Sequence, residues 1–185
     1  GALGVAGAGH GDAVGAVLLE LVAQGADGNA ENVRRVRAVA EAMVQGVENE
    51  HVYSVRSDVI YQDKLVTAFI GSHQWSRNHG NTIIVPNEHF ENIFDLPERY
   101  PLALHKVCRL IALAMKEAYS CDGISTRQHN EPAGYQDVWH YHIHVTPRYE
   151  NDRFYPTYME KKYMPADERA GHAERLRTGL ARLSV

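Results

Sequence analysis

The sequence predicts an α+β fold: a five-stranded, mostly antiparallel sheet packed with helices, with helical extensions at both ends. Three observations lead there. Short runs rich in β-branched and aromatic residues follow one another, separated by turn-type residues, so strands and helices segregate along the chain. The longest helical periodicity, over residues 101–119, has an apolar face wide enough to lie on a sheet. Finally, 185 residues that are 44% hydrophobic and 23% charged suit a single globular domain able to build an ordinary core.

The elements follow in order. Residues 1–28 form a Gly/Ala-rich arm with eight glycines and no Lys or Arg, which lacks the basic region of a secretory signal. Its most apolar stretch, 11–22, carries Asp12 and Glu20 and falls short of the ~20 apolar residues needed to span a bilayer. Between Asn29 and Gly46, Val33, Val36, Ala40, Met43 and Val44 recur at three- and four-residue steps, predicting a packing helix. Val59–Tyr61 and Leu65–Ile70 flank Gln62-Asp63-Lys64 as a hairpin. Gly71 to Asn81 reads as a long polar loop around Trp75, without structure of its own. Thr82–Val85 is a third strand, closed by Pro86, which has no N–H to donate.

The helix from Pro101 to about Tyr119 follows, with Cys108 expected as a small core residue. Ile124–Gln128 reads as a fourth strand, Asn130–Asp137 as a tight polar loop, and Val138–Tyr149 as a strongly alternating fifth strand. A Tyr-rich segment to Tyr163 leads into a helix over Asp167–Leu183. One domain over 29–185 results, with a core at 59–149 and a C-terminal extension at 150–185.

Charge and cysteine content narrow the function. Nineteen basic against 23 acidic side chains give a net charge of −4, without the basic footprint of a nucleic-acid polymer binder. Cys108 and Cys121 form no C-x-x-C pair, so neither a disulfide framework nor a thiolate zinc site is expected, and a reducing cytoplasm is the simplest location. Histidine stands out, with eleven residues, three of them within five positions.

Those three are His140, His142 and His144. On a strand, alternate side chains share a face, so the imidazoles should project together about 6.6 to 7 Å apart along the backbone. Tyr141, Ile143 and Val145 then face a core. Three readings compete: a polar strand face, a metal site built on His-x-His, or nucleophilic catalysis by a neutral imidazole. Adjacent imidazoles disfavour each other's positive charge and so favour the neutral, nucleophilic form.

Taken with Gly80-Asn81-Thr82-Ile83-Ile84-Val85-Pro86 and the Asn130–Gln136 loop, the run Val138-Trp139-His140-Tyr141-His142-Ile143-His144-Val145 resembles the histidine triad (HIT) family of nucleotide hydrolases and transferases. The resemblance covers roughly Val59 to Tyr149. It implies a five-stranded antiparallel sheet with two helices, a homodimer, and a nucleotide-type small molecule as substrate, with no cofactor. It further implies double displacement at a nucleoside α-phosphate, with a phosphohistidine on His142. His140 and His144 would orient the nucleophile and bind phosphate oxygens, and Asn130 and Gln136 would line the phosphate site. A non-catalytic or metal-binding module using the three histidines as ligands is the alternative.

The chain departs from the family pattern at three places. Asn81 stands where many members have a histidine, with His79 two residues earlier as a candidate fourth imidazole. Asp137 replaces a frequent Ser or Thr before Val138, and Gly71 replaces the carboxylate that holds the ribose. Asn81 can still donate to a phosphate, and Phe69 or Trp75 could stack on a base. His89 is expected to be structural; Tyr155, Tyr158 and Tyr163 could line a pocket or a partner's site.

Overall fold

The computed structural model describes residues 54–136 and 138–183. The arm at 1–28, the helix expected at 29–46 and Asp137 lie outside the described residues. Strands β1 (Val59–Gln62), β2 (Val66–Ile70), β4 (Thr82–Pro86), β5 (Gly123–Arg127) and β6 (Ile143–Arg148) form one sheet in the order β1-β2-β4-β6-β5, antiparallel throughout. The β1–β2 hairpin turns where expected, because Asp63 Oδ1 accepts the N–H groups of both Leu65 and Val66 at 2.8 Å.

Helix α1 (Arg99–Tyr119) lies across one face of the sheet, and α2 (Ala166–Arg182) packs on α1 and on the β1 end. Alternation along the strands feeds that face: Ala68, Ile70, Ile84, Ile143 and Val145 meet Leu104, Val107, Ile111 and Met115 of α1, all buried. Tyr141, Ile143 and Val145 therefore face the core as the alternation required. Cys108 is buried in it, and burial pushes its thiol up to about 11, which suits packing and not nucleophilic chemistry. Helices α1 and α2 touch closely at Gly179, where a Cβ would come within 3.1 Å of the Ala114 carbonyl oxygen.

Residues 71–81 differ from expectation. In place of a loop without structure, β3 (His73–Gln74) pairs with β7 (Lys162–Tyr163) of the C-terminal segment. Gln74, Asn78 and Asn81 are buried. Their amides do work that regular structure would otherwise do: Gln74 donates to the carbonyls of Gly71 and Asn81 and accepts from the N–H groups of Gly80 and Asn81. Asn78 donates to the Pro147 carbonyl and to Asp152. At Gly80, φ is +98° and a Cβ would strike the Tyr119 ring, so the turn there is reserved for glycine.

One interaction fastens α2 to the start of the sheet. Arg169 and Asp58 are both fully buried and joined by two hydrogen bonds of 3.0 and 2.9 Å, while Arg169 also donates to the Met164 carbonyl. Removing one partner of such a pair strands a charge in the interior, which costs about 3–5 kcal/mol. Asp58→Ala should therefore lower stability by about that amount in urea denaturation, and Asp58→Leu combined with Arg169→Met should recover most of the loss.

Candidate active site

The register of the sheet places a row of side chains on the face turned away from α1. Phe69 of β2 lies opposite Ile83 of β4, Ile83 opposite His144 of β6, and His144 opposite Arg127 of β5. Directly paired residues share a face, so His144 is flanked by an apolar side chain on one strand and a guanidinium on the other.

The expected fifth strand, Val138–Tyr149, is shorter than the alternation predicted: β6 begins at Ile143. The ladder with β4 runs from Thr82↔Val145 to Ile84↔Ile143 and ends there. Pro86, at the end of β4, has no N–H, and the Tyr141 N–H bonds instead to the Phe90 carbonyl at 2.6 Å. Residues 140–142 thus leave the sheet, and the three histidines do not form an even row.

His142 and His144 stay together, their ring centroids 5.0 Å apart and their planes at 79°. His140 turns aside. Its Nε2 lies 3.1 Å from the Pro86 carbonyl oxygen and its Nδ1 3.0 Å from Nδ1 of His89. A carbonyl oxygen can only accept, so Nε2 of His140 carries the proton. Neutral His140 then accepts at Nδ1 from Nδ1–H of His89.

The same logic sets the tautomer of His142. Its Nδ1 lies 2.8 Å from the carbonyl oxygen of His140, so Nδ1 is protonated and the ring lone pair resides on Nε2. The contact that fixes the His142 ring comes from the backbone carbonyl of His140 and not from its imidazole. Both rings are buried. Burial pushes the His140 pKa down to about 3, with the nearby His89 and His142 rings adding to the effect and the Pro86 carbonyl opposing it. Burial also holds His144 well below its ordinary value, reinforced by His142, Arg127, Lys161 and His129. His89 is lowered by burial against the opposing charge of Glu91.

The remaining expected residues fall around this pair. Phe69 shares the His144 face but is fully buried in the row. Asn81 is buried, its Oδ1 accepting from Thr146 Oγ1 at 2.9 Å, two residues along β6 from His144. Asn130 accepts from the Ile93 N–H and exchanges two hydrogen bonds with Gln128. Gln136 accepts from the Glu131 N–H and donates to the carbonyls of Glu91 and Val138. Both amides brace the loops on either side of the histidines.

His79 is not brought to the site. Its ring packs 5.7 Å from that of His172 in a cavity of about 350 Å³ lined also by Ser76, Arg77, Tyr119, Tyr149 and Arg175. Trp75 is buried and stacks on Tyr158, while Tyr155 and Tyr163 are largely exposed. His89, expected to be structural, touches His140 across 51 positions, and Arg127 carries no expectation from the sequence.

Comparison with known proteins bears on the family and the fold. The HIT domain matches residues 52–151, more than half of the chain. The chain belongs to the HIT family. This HIT protein is 30% identical to "Protein hit" of Bacillus subtilis (strain 168) over 95 residues, 51% of the chain and 64% of that protein. It is also 30% identical to a purine nucleoside phosphoramidase of Escherichia coli (strain K12) over 92 residues, 49% of the chain and 76% of that enzyme. The chain thus spans less than two thirds of the Bacillus protein's length. A zinc-bound histidine triad family protein from Mycobacterium smegmatis superposes with a TM-score of 0.58 at 26% identity, covering 68% of this chain and 85% of that one.

The neutral imidazoles carry a pH signature. Folded His140 takes up a proton only near pH 3, whereas an unfolded histidine does so near 6.5. Between those values protons favour the unfolded chain, so the contribution is fully present above about pH 6.5 and is lost on acidification. Each such histidine should lower stability by up to about 1.4 kcal/mol per pH unit below 6.5. Denaturant midpoints measured from pH 8 to pH 4 should fall steeply, and His140→Gln should flatten the profile.

Proposed function

We propose that this HIT protein is a nucleotide hydrolase or nucleotidyl transferase that cleaves a phosphoramidate or phosphoanhydride at a nucleoside α-phosphate, with His142 as the nucleophile. The observation that carries this reading is the 2.8 Å contact from His142 Nδ1 to the His140 carbonyl. It fixes the ring, keeps the attacking lone pair on Nε2, and places a carbonyl dipole where the imidazolium charge develops. Kinship with a purine nucleoside phosphoramidase supports the same chemistry.

In the first step, the Nε2 lone pair forms a bond to the α-phosphorus as the bond to the leaving group breaks, and the leaving group departs with the electron pair, as an anion from a phosphoanhydride or as a neutral amine from a phosphoramidate whose nitrogen has taken a proton from solvent. Nδ1–H continues to donate to the His140 carbonyl, which offsets the charge of the phosphorylated ring. Water then attacks the same phosphorus and releases the nucleoside monophosphate, restoring His142. His144, held neutral at its 5.0 Å ring separation, serves as a hydrogen-bonding partner of the phosphate oxygens and not as a store of protons.

A metal-binding reading of the three histidines fits less well. Both ring nitrogens of His140 are engaged by Pro86 and His89, and among the described residues no group of three His, Cys, Asp or Glu side chains could hold a metal ion. His142→Ala should abolish cleavage of adenosine 5′-phosphoramidate and of diadenosine triphosphate, and His144→Ala should slow it by about 10- to 100-fold. Quenching in denaturant at alkaline pH during turnover, where the acid-labile P–N bond survives, should show one nucleoside monophosphate on the peptide containing His142. Turnover at the wild-type rate in the His142 variant would overturn the mechanism.

A further inference from the structure

Arg127 lies outside the histidine motif, yet it is paired directly with His144 in the β5–β6 ladder and projects on the same face. Its guanidinium rests on three aromatic rings, 5.1 Å from Trp75, 4.8 Å from Phe154 and 4.4 Å from Tyr158. Trp75 comes from the 71–81 segment, and the other two come from the C-terminal segment. Neither Nε nor Nη2 of Arg127 has a hydrogen-bond partner among the described residues, and no carboxylate there pairs with it. Nδ1 of the adjacent His144 is in the same condition.

The neighbouring arginine shows the contrast. Arg148, four residues along β6 from His144, is gripped by Asp152 at 2.6 and 2.8 Å and donates to Ser125. That is a structural arginine with every reason to stay where it is. Arg127 is half-sunk among rings that hold its plane, and it bonds to the Tyr158 side chain while Nε and Nη2 stay buried and unspent. A guanidinium presents a flat fork suited to phosphate and carboxylate oxygens, and its aromatic bed fixes the direction of that fork. Lys161, exposed on the C-terminal segment, adds positive charge within electrostatic reach of His144.

We propose that Arg127 receives an anionic leaving group, with Lys161 adding positive charge near His144, so that the preferred substrates are nucleoside phosphoanhydrides. This rests on the reading of His142 as the nucleophile at the α-phosphate. The chemistry of the leaving group follows from the site. His144, whose Nδ1 has no hydrogen-bond partner among the described residues, is held neutral by burial, and a neutral imidazole is a poor proton donor to a departing amine. A phosphate-bearing group departs as an anion with the P–O bonding electrons and needs no proton, only a cation to receive it.

The test compares two substrates with the same nucleoside α-phosphate: diadenosine triphosphate, which releases a nucleotide anion, and adenosine 5′-phosphoramidate, which releases ammonia. Arg127→Met retains the stem on the rings and removes the charge. It should lower the ratio of kcat/KM for the anhydride over the amidate by about 100-fold, and Arg127→Lys should recover part of that ratio. Equal loss on both substrates in both variants would overturn the assignment and make Arg127 a packing residue. Failure of the wild-type protein to cleave either substrate, with no nucleotidyl group on His142, would instead refute the reading of His142. Should Arg127→Met fail to fold, Arg127→Lys with Lys161→Met decides by the same ratio.

Discussion

The site depends on where one ladder of hydrogen bonds stops. Strand β4 ends in Pro86, a residue with a carbonyl to offer and no N–H, and β6 begins only at Ile143. The chain just before β6 is therefore released from the sheet while still pressed against it. Its backbone groups find other uses: the Pro86 carbonyl accepts from the His140 ring, and the His140 carbonyl accepts from the His142 ring. Two backbone acceptors fix two side-chain tautomers. A longer ladder would have consumed those acceptors and left the imidazoles free to rotate between protonation patterns.

This accounts for what could be read in advance. Hairpin, helix and strand order were legible because Asp63, the period of residues 101–119 and the β-branched runs act locally. The facing of Tyr141, Ile143 and Val145 toward the core was legible for the same reason, since alternation persists in extended chain whether or not it is paired. For that same reason the true start of β6 was not legible. His140 and His142 alternate as a strand would, and the interruption is imposed by the partner strand, 54 residues away in the His140–Pro86 contact.

The buried state of residues 71–81 was hidden too. Polar composition argued for solvent, yet Gln74 and Asn78 are inside because their amides replace missing ladder partners for backbone groups. Composition records that a side chain is polar and says nothing of whether its partner is water or the chain itself. Arg127 was invisible on similar grounds. As a sequence letter it is one of many basic residues, and its position opposite His144, on a bed of rings drawn from distant segments, exists only once β5 and β6 pair.

The clamp between Asp58 and Arg169 joins residues 111 positions apart. During synthesis the sheet strands and the histidine segment leave the ribosome before the piece that carries Phe154, Tyr158 and Lys161, and before the arginine that secures α2. The histidines thus leave the ribosome while only Trp75 of the bed beneath Arg127 has been made. Contacts of such long sequence separation are the slow ones to form. In this fold, the ribosome delivers Trp75 and the histidines first and completes the aromatic bed last.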